Sequence, residues 1–409
     1  MKQRGSVFIL ALIVLTACTA ILALTVSAQR VSFKSTVNRM ESKRAKYMAE
    51  AGVQRAITEL TLLTSPGLVN QTQEWYLLGT NGDDKFTVSG DSFRLQVVDA
   101  ASLINLNTAT EDQLLNLGLT QAQIDSLLDW REPGETPRTE GAKNDYYNGL
   151  ENPYNARLGR LQSLDEVLLI KDWLPSSLYD VPTSTTNTTI SVPRPLCVCA
   201  TVDSYSPNTN PTGGALQNIN TAQAQQLVQA GIAAQTATAI IARRNGLGQF
   251  TSMNQVFSTP GLDQRSAGVL LDGFSTSAAP RLEGKLNLNT VTEDVLESVP
   301  GITTDIAQSI VSTQATGFAN LSEILQINGV TVQLLSQIAD RFSVGSDTFV
   351  IRCQGHAGQA DFAIEAVVQM VNGAPVVLKT LETSQTDMTT LWQWSTDTSN
   401  EIVLGEDSR

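Results

Sequence analysis

The side chains able to do chemistry are few. His356 is the chain's one histidine, and its cysteines are Cys18, Cys197, Cys199 and Cys353. One imidazole supplies neither a His-based catalytic triad nor a multi-His metal site. Cys197 and Cys199 form a C-x-C with no further Cys or His close by, which makes a poor metal site. A pair such as Cys199–Cys353 would suit an oxidising compartment, and the spacing leaves the pairing open. There is no nucleophile motif and no phosphate-binding glycine loop, so enzyme activity is not expected. Basic side chains pair up once in the central region, at Arg243-Arg244.

The most informative peptide bond lies near the N-terminus. Gly5 follows the basic leader Met1-Lys2-Gln3-Arg4 and precedes 23 residues without a charge, 6–28. About 20 apolar residues cross a bilayer as one helix. A cleaved secretory signal has an apolar region of about 7–15 residues with a small-residue site at its far end. Here the run is longer and no Ala-x-Ala closes it. A plain anchor fits the length, but the glycine before the run resembles a type IV prepilin leader. Such a leader is cut on the cytoplasmic side, here between Gly5 and Ser6. The cut leaves the apolar helix on the mature chain, and the resemblance implies methylation of the new Ser6 amine. Lys2 and Arg4 would stay in the cytoplasm, which puts the bulk of the chain in the periplasm of a double-membrane cell.

Elements must carry this anchor and a large head. Apolar residues continue at helical spacing from Val31 through Phe33, Val37, Met40, Tyr47, Val53 and Ile57 to Leu60, and Pro66-Gly67 ends the pattern. One helix over 6–64 is predicted, with 6–28 in the membrane behind a 1–5 leader. Strand-like alternation appears at 86–88 and 93–98, then only at 348–353, 361–370 and 376–381. Ser89-Gly90-Asp91, Gly355 to Gly358 and Asn372-Gly373 read as turns. The expectation is a β domain split into 65–99 and 344–385, followed by a tail at 386–409. The fold class is α+β: a long N-terminal transmembrane helix of pilin type, a pilin-like antiparallel sheet and a large all-helical insertion.

That insertion repeats itself. Ile104-Asn105-Leu106-Asn107-Thr108, Gln217-Asn218-Ile219-Asn220-Thr221 and Leu286-Asn287-Leu288-Asn289-Thr290 are three copies of one start signal. Thr108 with Glu111 and Thr290 with Glu293 read as capping boxes. Glycine turns follow at Gly118, Gly231 and Gly301, and second rounds turn at Gly261 and Gly329. The copies resemble tandem helix-hairpin-helix units, predicted at 100–180, 216–276 and 285–343, with a polar and Pro-rich linker at 181–215.

Taken in order, these residues resemble general secretion pathway protein K, a minor pseudopilin of type II secretion. The likeness runs from Gln3-Arg4-Gly5 through Ala45 to Val53 and Asn105-Leu106-Asn107-Thr108. It continues through Asp129-Trp130-Arg131, Gly141-Ala142, Tyr146-Tyr147, Pro153-Tyr154 and Ser163 to Glu166. Lys143 departs from the family, which often has an acid after Gly-Ala, and the extra copies over 216–343 lengthen the chain. The resemblance implies partners: other minor pseudopilins of the I and J types, the major pseudopilin, and prepilin peptidase at the inner membrane. Calcium is associated with family members, and Asp129, Glu132, Asp145 and Glu166 are candidate ligands by chemistry.

Ordinary pilins carry a Glu five residues into the mature chain, where it can pair with a neighbour's N-terminal amine inside an apolar core. Counted from Ser6, that position is Leu10. A chain without this acid suits the filament tip, where it would nucleate assembly and support export across the outer membrane. The rival reading is a membrane-tethered helix-hairpin-helix DNA receptor of a competence or type IV pilus system. Such hairpins hold phosphates on the backbone N–H groups of a Gly-x-Gly turn. Here Ala233, Thr303 and Thr331 replace the second glycine, and 286–343 holds six acids against Arg341 alone. Arg243 and Arg244 are the remaining candidates, and no nucleic acid is expected.

Overall fold

A computed structural model describes residues 4–181, 190, 193–384, 388–395 and 400–404, and the side chains from Phe8 onward within its first helix. That helix, α1, spans Arg4–Leu60, roughly 85 Å at 1.5 Å per residue. It stops before the predicted residue 64 because the chain tightens: Leu62 N–H donates to Glu59 O and Leu63 N–H to Leu60 O, ahead of Pro66. Only its last third is sheltered. Ala45, Ala49, Val53, Ala56 and Leu60 are buried, three or four residues apart, while Val31, Phe33, Met40 and Tyr47 stay exposed.

The sheltered stripe lies on a six-stranded sheet. Its strands are β1 (Asp84–Val88), β2 (Asp91–Asp99), β3 (Thr348–Ala357), β4 (Ala360–Val371), β5 (Ala374–Thr383) and β6 (Asn400–Val403). Their spatial order is β5-β4-β3-β2-β1-β6. All neighbours are antiparallel except β1 and β6, which are parallel. Alternate residues of β1 to β4 turn to the α1 side and bury Phe86, Phe93, Leu95, Val97, Phe349, Ile351, Ile364, Val368 and Met370. Trp75 closes this core edge-to-face on Phe349.

Two turns form where expected. Ser89-Gly90 and Asn372-Gly373 have φ of 51° and 88°, and 51° and 80°, the double positive φ that two-residue hairpins need. The third expected turn is corrected. β3 runs straight through Gly355, and the hairpin reverses after Ala357, which pairs with Ala360. Gly355 is a glycine because α1 presses on it: a Cβ there would overlap the Ala45 carbonyl oxygen and the Ala49 nitrogen.

The expected tail is corrected too. β6 is an edge strand whose Glu401 pairs with Lys85 and accepts from Thr87. Trp392 and Trp394 are buried. Trp394 donates to Gln96 at 3.0 Å and packs beneath the Arg94 guanidinium.

The insertion leaves the sheet after β2 and returns at β3. Each start signal is clamped to the end of its own unit by a short parallel bridge. Ile104-Asn105 pairs with Ala200-Thr201, Gln217-Asn218 with Phe274-Ser275, and Leu286-Asn287 with Phe342-Ser343. The first unit therefore closes at 200–201, beyond its predicted end at 180. In the expected linker, Leu196, Cys199, Ala200 and Val202 are core residues, and Tyr205–Pro207 pairs with Arg281–Glu283. Pro and polar flanks hid this apolar segment, and residues 182–189 and 191–192 of the linker lie outside the described residues. The four cysteines are free thiols: Cys199 lies in the insertion's core and Cys353 in the sheet's.

Candidate functional site

In the anchor, Gly5 and Ser6 fall in the first turns of α1. Leu10 is 65 % exposed on a helix that is unburied through its apolar stretch and is long and apolar enough to cross a membrane. Thr16, Thr19 and Thr25 return their hydroxyls to carbonyls three or four residues back, so this stretch exposes few unpaired polar groups to lipid.

The insertion shows what its repeated asparagines do. The first Asn of each start signal accepts from the backbone N–H of the second: Asn105 from Asn107 at 2.9 Å, Asn218 from Asn220 at 2.8 Å, Asn287 from Asn289 at 3.0 Å. The second Asn exchanges two hydrogen bonds with the backbone of a downstream residue. Asn107 holds Leu161, Asn220 holds Phe250 and Asn289 holds Phe318. The separations are 54, 30 and 29 residues, so the first unit is the same device with a long loop spliced in.

A third side chain finishes each lock. Arg131 donates to Leu106 O and Ala109 O, Arg244 to Ile219 O and Ala222 O, and Gln314 to Leu288 O and Val291 O. One carbonyl of each pair lies in the middle of the start signal and the other just after it, and the donors satisfy acceptors that would otherwise be costly. Arg244 is therefore structural. Arg243 donates to Gln255 O at 3.1 Å. Neither candidate for phosphate contact projects freely into solvent.

The two expected capping boxes do not form. Thr108 donates to Asn105 O and Thr290 to Asp99 Oδ2. The helix N-caps are Thr110, which accepts from Gln113 N–H, and Thr292. Acids in the third unit serve as joints. Asp340 caps the Met253–Phe257 helix of the second unit through the N–H groups of Met253 and Asn254, each at 3.0 Å. The hairpin turns of the third unit face its own helices: Gly301 lies under Leu334 and Gly329 against Ile306.

One buried carboxylate joins the insertion to the sheet. Asp99, at the end of β2, accepts from Asn287 Nδ2 at 2.8 Å, Thr290 Oγ1 at 2.6 Å and Ala101 N–H at 2.8 Å. Burial pushes its pKa up, and these donors and Ser346 pull it back in part.

The calcium candidates are not gathered into one site, and no cluster of metal-binding side chains occurs among the described residues. Asp129 is held by Arg138, whose guanidinium donates to Oδ1 at 2.8 Å and whose N–H donates to Oδ2 at 2.9 Å. Glu132 takes the same guanidinium at 2.6 Å. Glu166 is held by Arg157, by Trp130 Nε1 at 2.8 Å and by Gln162 N–H at 2.9 Å. Burial raises the Glu166 pKa, but these three donors outweigh it and hold it below its ordinary value. Asp145 is exposed in the first turn of Asn144–Asn148. Asp129, Glu132 and Glu166 do not fit a calcium ion, because protein cations already hold them. Burial raises the Tyr147 hydroxyl to about 12 and the Cys199 thiol to about 12, so both are neutral structural groups at physiological pH.

A long apolar helix on a mainly antiparallel sheet, with a helical insertion between two of its strands, defines an α+β fold of pilin type bearing helix-hairpin-helix units. Residues 217–267 and 283–343 each match the helix-hairpin-helix motif family. Residues 99–181 match the family of type II secretion system protein K. One solved structure, the GspK-GspI-GspJ complex of the type 2 secretion system of enterotoxigenic Escherichia coli, aligns with a TM-score of 0.49 and 12% identity, covering 86% of this chain and 100% of that one. No curated protein matches the chain.

Proposed function

We propose that the chain is a minor pseudopilin of type II secretion, anchored in the inner membrane by α1 with its head in the periplasm. The observation that carries this is the protein K domain lodged in the sheet of a pilin-like fold. Prepilin peptidase would cut between Gly5 and Ser6, and the Ser6 amine would be methylated. Leu10 offers no carboxylate to a neighbour's amine, and the wide inserted head is hard to repeat along a tightly wound filament. Both favour one copy at the tip, nucleating assembly with minor pseudopilins of the I and J types and the major pseudopilin. The exposed apolar side chains of α1 at Val31, Phe33, Met40 and Tyr47 are the surface on which their helices would pack.

The test is to label assembled pseudopili with antibody to the head and to read the mature N-terminus by mass spectrometry. A chain beginning at methylated Ser6 with label at filament ends is expected. Label along the filament length overturns the tip assignment, and an intact Met1 overturns the processing.

A further inference from the structure

We infer that Lys143 is a tethered cation standing where the first insertion unit would otherwise hold a divalent metal, so that this unit folds without one. Three oxygens converge where the chain leaves the Gln121–Arg131 helix: the Asp129 carbonyl, the Glu132 carbonyl and the Asp129 carboxylate. Mixed carbonyl and carboxylate oxygens are the donors a hard cation takes. The Lys143 ammonium lies among them, donating to Asp129 O at 2.6 Å and Glu132 O at 2.8 Å, with Asp129 Oδ1 at 4.0 Å. Lys143 is only 4 % exposed. An ammonium buried this deeply is tolerated only when paired and hydrogen-bonded; here two of its N–H groups donate to the two carbonyls and the Asp129 carboxylate stands within ion-pair range.

The rest of the loop is built around the same charge. The Arg138 guanidinium donates to the same Asp129 Oδ1, its backbone N–H takes Oδ2, and its other arm reaches Glu132. Gly141 lets the backbone lie directly on Asp129, since a Cβ there would overlap the carboxylate. Two protein cations thus neutralise Asp129 and Glu132 and satisfy the carbonyls at the helix end, where positive charge is favoured.

The detergent-solubilised full chain is melted in EDTA and in millimolar calcium. The wild-type midpoint is expected to be the same in both. Lys143→Met should lower it equally in both, because buried acceptors lose their donor. Lys143→Asp adds a carboxylate to the oxygen set. It should melt lower in EDTA and recover several degrees in calcium, the shift produced by a ligand at about 100 times its Kd. A calcium-dependent rise in the wild-type midpoint overturns the proposal. So does a folded Lys143→Asp that ignores calcium, which would leave an ordinary buried ion pair. Should Lys143→Asp fail to fold, Lys143→Met decides: a wild-type midpoint in that variant overturns the role of the ammonium.

Discussion

Gly355 of β3 lies directly against the Ala45 carbonyl of α1, with no room for a side chain between them. A second glycine mirrors it from the helix, for Gly52 faces Cys353 two residues along the same strand, and Phe93 beside it. Small residues on both surfaces set how closely the anchor helix approaches the sheet.

Gly355→Ala should therefore be costly, because backbone on the facing helix cannot yield as a side chain can. A loss of about 3 kcal/mol, the upper end of overpacking effects, is expected in chemical denaturation. Gly52→Ala meets mainly the Cys353 sulfur, so Cys353→Ala in the same chain should recover part of its loss. Additive losses in that double-mutant cycle would show that the two sites do not touch.

The repeat locks make a second prediction. Arg244 and Gln314 occupy equivalent places, each donating to one carbonyl within its unit's start signal and one just after it. Arg244→Ala strands both acceptors and should cost about 2–6 kcal/mol, at 1–3 kcal/mol for each buried group left unsatisfied. Arg244→Gln should cost clearly less, because glutamine already does this work in the third unit. Equal losses for the two variants would mean that the charge of Arg244, not its hydrogen bonds, matters.

The architecture was legible where periodicity and punctuation carry it: the α1 run, the alternating strands, the Asn372-Gly373 turn and the three start signals. What escaped was long-range. Nothing local distinguishes Gly355 in mid-strand from a turn glycine, because the reason is a helix 310 residues upstream in sequence. Thr108 and Thr290 satisfy the capping pattern, yet Thr290 is drawn away by Asp99, a partner from another element. Apolar residues at 196–202 and the tryptophans at 392 and 394 lie among proline and polar residues, where no period shows. The acids Asp129, Glu132 and Glu166 were legible as charged groups, but their partners Arg138, Lys143 and Arg157 come from the loop spliced into the first unit. Spacing cannot assign such pairs.

Glu166 and Asp99 titrate in opposite senses, which gives the third prediction. The folded pKa of Glu166 lies below its ordinary 4.5, so the unfolded chain binds its proton first. Its contribution is present above pH 4.5 and is lost as pH falls through the depressed value. Asp99 is raised above its ordinary 3.8. Between 3.8 and that raised value the folded state holds the extra proton, so stability is gained as pH falls through the window. Glu166→Gln should lower stability near neutral pH by about 2 kcal/mol, the scale of a hydrogen bond to a charged group, and should flatten the loss below pH 4.5. Asp99→Asn should remove the opposing gain. It should also cost stability throughout, because Asn287, Thr290 and Ala101 are all donors and an amide nitrogen would face one of them. Thermal midpoints of wild type and both variants across the acid range check the signs. If Glu166→Gln instead steepened the acid loss, the ion pair with Arg157 would not be the group that titrates.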